Sequence, residues 1–227
     1  MIWRSYHPTH GSTGNGAHDE ALHDRRTAID ELGAALRELV ERATVTEVDA
    51  ETIRRVADDV RRVTGPLADR PRGRTQLPTA DDLLGGIRMY NPVSGTGSAL
   101  APPVRAEIVD GVVVGACTLG LAYEGPPMYA HGGISALLLD HMLGYATTAS
   151  GHPGMTVRLD TVYRAPVPLQ TPLHLTGRVT DVNGRKVTAH GIIATAADPD
   201  AILVEATGTF VAVPPEKAKA LFGTMRR

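Results

Sequence analysis

The stretch AHGGISALLLDHMLGYA, residues 130–146, has the length and spacing of an α-helix and is apolar on nearly every face. A helix that is apolar all round predicts burial in a core on all sides. It nevertheless carries Asp140 near its middle, and an aspartate is almost never fully buried unless it is paired. This helix therefore constrains both the fold, which must cover it, and the chemistry at its centre.

Short segments with strand patterns lie on both sides of this helix. Two precede it, VRAEIV and VVVGACTLGLAY, and four follow it, TVRLDTVYR, LHLTGRVTDV, KVTAHGIIAT and AILVEATGTFVAV. Asp110-Gly111 and Asn183-Gly184 are typical of tight hairpin turns, and Asp198-Pro199-Asp200 predicts another turn. Because no helical pattern separates the last four strands, they predict an antiparallel sheet with one face on the lone helix.

The region before these strands differs in composition. Residues 1–17 lack periodicity and predict a flexible N-terminus, whereas residues 18–82 predict a helical extension and linker. Two amphipathic helices are expected there, with apolar residues at three- and four-residue steps: Ile29, Leu32, Leu36, Leu39 and Ala43, then Ile53, Val56, Val60 and Val63. Residues 83–227 form the predicted domain of sheet and helix.

Composition excludes several functional classes. The 23 basic and 25 acidic residues give a net charge of -2, which offers no basic face for a nucleic acid. Cys117 is the single cysteine, so no intramolecular disulfide forms, as is usual in a reducing compartment. No apolar run reaches the roughly 18 residues of a membrane span, and the N-terminus lacks the apolar core of a signal peptide. We therefore expect a soluble, cytoplasmic protein.

The sequence His131-Gly132-Gly133 stands at the start of the apolar helix. The first N–H groups of a helix have no partner within it and lie at the positive end of its dipole, where a developing oxyanion is stabilised. Gly132 and Asp140 are eight residues apart, or about 12 Å along one helix, so a single carbonyl cannot contact both. If both act, Asp140 must meet Gly132 of a second copy, which predicts a homodimer with two shared sites.

The run YEGPPMYAHGGISALLLD, followed by MTVRLDTVYRAPVPL, resembles the hotdog-fold acyl-CoA thioesterases. It is similar to the PaaI-like branch that includes the human thioesterase superfamily members. The combination is His-Gly-Gly, an Asp nine residues after the His, and then T-x-x-L-x-x-x-Y-x-x-P-x-P-L. The resemblance covers about residues 88–213. It implies an α+β hotdog fold, a curved antiparallel sheet of about six strands wrapped round a central helix, here with an N-terminal helical extension.

The resemblance implies a role for each matching residue. Gly132 would donate its N–H to the thioester oxygen, and Asp140 of the partner would act as general base on water or as a nucleophile forming an anhydride. Thr156 would help to hold the water or the thioester, and His131 would orient the glycine turn and contact the substrate. An Asn that many family members carry before His-Gly-Gly is absent here, which favours the branch that uses a threonine.

Hydrolysis of an acyl-CoA to a carboxylic acid and free CoA, a reaction of lipid metabolism, is thus the implied activity. It needs no metal or redox cofactor. Candidates for contact with the acyl-CoA are Gly133 in the glycine turn and, for the CoA phosphates, the basic residues Arg158, Arg164, Arg185 and Lys186.

Other functions remain as alternatives. A non-catalytic acyl-CoA-binding hotdog protein would need the pocket but not the carboxylate. A hotdog enoyl-CoA hydratase uses a paired Asp and His in a local pattern that we do not find, and the buried carboxylate argues against a purely structural dimer. The serine-hydrolase G-x-S-x-G and zinc-protease H-E-x-x-H patterns are absent. The acyl group, the choice between base and anhydride, and the role of the N-terminal helices, as a cap or in a dimer of dimers, stay open.

Overall fold

A computed structural model describes residues 16–83 and 85–213. The predicted flexible segment therefore lies almost wholly outside the described residues. The helices are α1 (Gly16–Val45), α2 (Ala50–Thr64) and α3 (Gly132–Ala149). The strands are β1 (Arg105–Val109), β2 (Val112–Thr118), β3 (Met155–Tyr163), β4 (Pro172–Asn183), β5 (Lys186–Thr195) and β6 (Val204–Val211). Two short 3₁₀ turns cover Gly65–Ala68 and Leu121–Tyr123.

The six strands form one antiparallel sheet in the order β1-β2-β4-β5-β6-β3, which confirms the predicted hotdog architecture. Val109 pairs with Val112 across a two-residue turn in which Asp110 and Gly111 both have positive φ, as the Asp-Gly pattern predicts. In the hairpin between β4 and β5, Asn183 pairs with Lys186. The turn residues are thus one position later than the Asn-Gly pattern suggests.

Helix α3 packs against the inward face of this sheet. Its residues Leu138, Leu139, Met142 and Leu143 are fully buried and form the centre of the core. The helix backbone approaches β4 so closely that a Cβ on Gly177 would lie 3.0 Å from the carbonyl oxygen of Met142. Complete removal of these side chains from water is the main source of stability of the domain.

The expectation that α3 is buried on all sides is wrong for the single chain. Leu137 is 37% exposed, and Asp140, His141 and Gly144 are only half-buried. These four residues recur at three- and four-residue steps, so they form one stripe along the helix, which we call the open stripe of α3. The sheet curves round part of the helix only, and Asp140 therefore lies at the boundary of the core.

Helices α1 and α2 occur where the periodicity predicts them, but α1 uses only part of its apolar stripe to pack on the domain. Ile29 lies against Gly97, whereas Leu32 and Leu36 are exposed. Further contact is made by Gly33, on which a Cβ would collide with the carbonyl oxygen of Thr96, and by the polar residues Arg37 and Glu41. No residue of α2 is buried. None of the helices in the described ranges is long and apolar enough to cross a bilayer.

Candidate active site

Asp140 and Thr156 form a hydrogen-bonded pair on the open side of α3. The Thr156 hydroxyl donates to Oδ1 of Asp140 over 2.8 Å. Among residues 16–83 and 85–213, no donor contacts Oδ2 of Asp140. The pair therefore holds the carboxylate in one orientation and leaves one oxygen able to accept a proton.

A β-bulge aims Thr156 at the helix. The register of β3 on β6 shifts between Thr156 and Arg158. Thr156 pairs with Phe210 and Tyr163 pairs with Val204, and both β6 partners are buried on the inward face. Tyr163 lies seven positions after Thr156, and in a regular strand two residues an odd number of positions apart point to opposite faces. The bulge places both on the face that meets α3, and bulges are common beside active sites for this reason.

The glycine turn forms the N-terminus of α3. His131 is the N-cap, and its Nδ1 accepts a hydrogen bond of 3.0 Å from the N–H of Gly133. That bond fixes the proton of the neutral imidazole on Nε2, which faces away from the helix end. In the described parts of the chain, nothing accepts a hydrogen bond from the N–H of Gly132. Gly132 thus presents a free donor at the positive end of the α3 dipole, whereas the N–H of Gly133 is used by the cap.

Tyr163 supports this turn and was assigned no role from the sequence. Its hydroxyl donates to the carbonyl oxygen of Gly132 over 3.0 Å. A Cβ on Gly132 would lie 3.2 Å from Cε1 of the Tyr163 ring, so the glycine allows the ring to pack closely. The signal in the sequence is the tyrosine of the pattern T-x-x-L-x-x-x-Y, which identifies the residue but not its hydrogen-bond partner.

The candidate groups form two half-sites at opposite ends of β3. Thr156 contacts Asp140 near one end of the strand, and Tyr163 contacts Gly132 at the other. Asp140 and Gly132 remain about 12 Å apart along α3. Within one chain, the carboxylate and the free N–H therefore cannot contact the same carbonyl group.

Burial holds two other ionisable side chains of the domain in their neutral forms. Burial lowers the pKa of His141 to about 4, although the neighbouring Asp140 carboxylate acts in the opposite direction. His141 is therefore uncharged at neutral pH and supplies no cation to the site. Burial raises the pKa of the Cys117 thiol to about 12, so this cysteine is not an activated nucleophile.

Two of the four basic candidates lie on the outward face of the sheet, and the other two lie at the β4–β5 hairpin. Arg158 forms an ion pair with Asp160, and Arg164 with Glu205, both on the sheet face that points away from α3. Arg185 donates to the carbonyl oxygen of Ala212 at the β4–β5 hairpin.

The fourth basic residue, Lys186, lies at the Thr156 end of β3. It pairs with Val211, which pairs in turn with Met155. Two strand spacings then put the backbone of Lys186 about 10 Å from that of Met155.

The fold and the site define a class of protein. The family model described as Thioesterase superfamily matches residues 129–200. A crystal structure of protein RHA08564, described as a thioesterase superfamily protein, is 40% identical in sequence and superposes with a TM-score of 0.72, covering 81% of this chain and 94% of that one. The chain belongs to the thioesterase superfamily, which confirms the resemblance seen in its sequence.

Curated relatives match part of the chain. Acyl-coenzyme A thioesterase THEM4 of Mus musculus is 31% identical over 98 residues, which cover 43% of this chain and 42% of the mouse protein. The Bos taurus protein of the same name is 32% identical over 95 residues, covering 42% of this chain and 38% of that one. The chain thus matches less than half the length of these curated relatives.

Proposed function

We propose that the protein hydrolyses an acyl-CoA thioester to a carboxylic acid and free CoA. The observation that carries this proposal is the Asp140 carboxylate, which Thr156 orients on the open stripe of α3 with one oxygen unoccupied. Two curated relatives that match part of the chain are named acyl-coenzyme A thioesterases. The single cysteine favours a reducing compartment, and we propose the cytoplasm.

In the proposed mechanism, the thioester oxygen accepts a hydrogen bond from the N–H of Gly132. The α3 dipole stabilises the negative charge that develops on this oxygen when the carbonyl is attacked. Oδ2 of Asp140 from a second copy of the chain takes a proton from water while the water oxygen bonds to the carbonyl carbon. The C–S bond then breaks, and the departing sulfur takes up the proton held by Asp140, which restores the carboxylate. Water is the only co-reactant, so these steps require no metal or redox cofactor.

An anhydride route uses the same residues. In it, Asp140 attacks the carbonyl carbon directly, the C–S bond breaks and releases the CoA thiolate, and water later hydrolyses the mixed anhydride to the carboxylic acid and the free carboxylate, its released proton going to the thiolate. The hydrogen bond from Thr156 would orient the carboxylate in either route.

We further propose that each active site is shared by two copies of the chain. β3 is an edge strand of nine residues that exposes Met155, Val157 and Val162, and such an edge is an aggregation hazard unless it is covered. Antiparallel pairing of β3 with its own copy about a two-fold axis would set Thr156 opposite Tyr163 of the second copy. The Asp140 half-site of one copy would then face the Gly132 half-site of the other.

The CoA phosphates are assigned first to Arg185 and Lys186. These residues lie at the end of the sheet that carries Thr156, and guanidinium and ammonium groups bind phosphates well. Arg158 and Arg164 are the second choice because Asp160 and Glu205 hold them on the outward face.

Thiol release from a panel of short, long and aryl acyl-CoAs tests the proposed activity. Turnover by the wild type that is lost in Asp140→Asn supports the thioesterase and identifies the preferred acyl class. Binding of acyl-CoA without turnover on any substrate would favour the non-catalytic binding protein instead.

A further inference from the structure

Helix α1 reaches the loop before the glycine turn through one carboxylate, that of Glu41. Oε1 of Glu41 accepts a hydrogen bond from the N–H of Leu121 over 2.9 Å, and Oε2 accepts one from the N–H of Ala122 over 3.1 Å. These residues begin the 3₁₀ turn Leu121–Tyr123, so the carboxylate satisfies two backbone donors that have no partner within the turn. Hydrogen bonds to a charged acceptor are stronger than neutral ones.

The same turn is bonded directly to the candidate oxyanion site. The carbonyl oxygen of Tyr123 accepts a hydrogen bond of 2.9 Å from the N–H of His131, the N-cap of α3. Glu124 and Ala130 form an isolated antiparallel bridge that closes the loop between them. Three hydrogen bonds therefore connect Glu41 to the glycine turn. Glu41 binds the N–H of Ala122, the next residue Tyr123 binds the N–H of His131, and His131 binds the N–H of Gly133. Gly133 is adjacent to the free N–H of Gly132.

The turn has different contacts on its two sides. Leu121 and Tyr123 pack against the hydrophobic core, and the Tyr123 hydroxyl donates to the carbonyl oxygen of Leu100 over 3.1 Å. On the side facing α1, an open cleft of about 290 Å³ borders Ala122 and Tyr123. Toward α1, the two hydrogen bonds to Glu41 hold the backbone of the turn.

Gly120, which precedes the turn, lies against the Glu41 carboxylate. A Cβ at this position would collide with Oε2 of Glu41. The φ angle of Gly120 is -80°, which any residue adopts, so its backbone conformation does not require glycine. A Cβ there would instead displace the Glu41 carboxylate from its hydrogen bonds to the turn.

We propose that Glu41 is a positioning residue that aligns the glycine turn for catalysis, and that helix α1 thereby acts as a brace for the active site. This inference rests on the proposed thioesterase activity. It assigns a function to the N-terminal extension, which lies outside the family match at residues 129–200.

Kinetics of Glu41→Ala, Glu41→Gln and Gly120→Ala test the inference on the full chain. We expect Glu41→Ala to lower kcat by about 10- to 100-fold, because small displacements of aligned groups are costly, while KM stays within about twofold. Glu41→Gln should recover part of the loss, since its amide oxygen still accepts one N–H. Gly120→Ala should lower kcat similarly and add little to Glu41→Ala in the double variant. Glu38→Ala is the matched control, because Glu38 pairs only with Arg42 on the surface one turn earlier.

Amide hydrogen exchange supplies a readout that does not need turnover. Exchange at Leu121, Ala122 and Gly133 should quicken in Glu41→Ala and in Gly120→Ala but not in Glu38→Ala. A wild type that hydrolyses no acyl-CoA would overturn the proposed function, whereas exchange would still decide the role of Glu41. The proposed role of Glu41 would be overturned if exchange at these amides were unchanged in Glu41→Ala. It would also be overturned if the wild type were active and Glu41→Ala had the same kcat.

Discussion

The hydroxyl of Thr156 lies 2.8 Å from Oδ1 of Asp140, which joins the start of β3 to the middle of α3. This contact crosses sixteen residues of sequence and depends on the bulge that turns Thr156 inward. It explains how the helix accepts a carboxylate: Asp140 is hydrogen-bonded on one oxygen and lies on the open stripe, so it is not buried unpaired.

Replacement of Asp140 by Asn should abolish most activity and keep the fold. The amide cannot accept a proton from water, so we expect kcat to fall by about 10²–10⁴-fold, as for loss of a general base. Thiol release and thermal unfolding measure the two effects. Asp160→Asn is the control, because Asp160 pairs with Arg158 on the outward face. Equal activity of the two variants would remove Asp140 from the mechanism.

Replacement of Thr156 by Val removes the hydroxyl at nearly constant volume. A hydrogen bond to a charged acceptor contributes about 1.5–3 kcal/mol, which corresponds to about a 10- to 100-fold loss of kcat if it is fully expressed in the transition state. Thr156→Ser keeps the hydroxyl and should retain most of the activity. If Thr156→Ser and Thr156→Val reduce kcat to the same extent, loss of the hydrogen bond to Asp140 does not explain the reduced activity.

Replacement of Tyr163 by Phe tests the support of the glycine turn. Loss of the hydrogen bond to the Gly132 carbonyl should lower the free energy of unfolding by about 1 kcal/mol and reduce kcat several-fold. Urea unfolding and thiol release are the measurements. The control is Tyr90→Phe, since Tyr90 is exposed and lies outside the candidate site. A fully active Tyr163→Phe would show that the ring alone suffices.

His141 should make stability depend on pH. Burial lowers its pKa from 6.5 to about 4, so the unfolded chain binds a proton that the folded chain does not. The stability of the folded chain is therefore unaffected by protonation of His141 above pH 6.5 and decreases as the pH falls from 6.5 toward 4. The free energy of unfolding should fall with pH in this window, with a slope of at most about 1.4 kcal/mol per pH unit.

Urea unfolding between pH 4 and pH 7 measures this dependence. Carboxylates also titrate in the range, so the informative quantity is the difference between the wild type and His141→Gln, which lacks the titrating group. Parallel curves for the two proteins would show that His141 binds its proton as readily in the folded chain.

The antiparallel sheet that covers one helix could be predicted from the sequence because its signals are local, and the family resemblance identifies it as a hotdog fold. Asp110-Gly111 determines one hairpin, and the uninterrupted strand patterns after α3 determine an antiparallel sheet. Gly132 and Asp140 stand out on α3 because a glycine pair and a carboxylate are unusual in such an apolar stretch. The proximity of Thr156 to Asp140 depends on a bulge, and no local pattern in β3 predicts where a register shift occurs.

The contacts of the N-terminal extension could not be predicted in this way. Periodicity correctly predicts that α1 is a helix, but the rule that apolar stripes face the core would turn Leu32 and Leu36 inward. The structure turns Gly33, Arg37 and Glu41 inward instead. Their partners are backbone groups of distant loops, such as the N–H of Leu121 and the carbonyl of Ser98. Because nearly every residue carries these groups, the sequence does not show which of them bind a side chain of α1.

Complementation between two inactive variants tests the shared active site most directly. Asp140→Asn removes the base, and Gly132→Pro removes the N–H donor. Proline is accommodated at the first position of a helix, and His131 before it has the extended φ and ψ of -60° and 134° that proline requires. Gly132→Ala, which keeps the N–H, controls for the added bulk beside Tyr163.

The two variants are co-expressed with different tags, and the mixed dimer is isolated by two successive affinity steps. In a dimer with shared sites, one site of the mixed species carries both defects and the other carries neither. We therefore expect about half of the wild-type thiol release from the mixed dimer, although each parent dimer is nearly inactive. A mixed dimer as inactive as its parents would show that Asp140 and Gly132 of different chains do not act on one thioester.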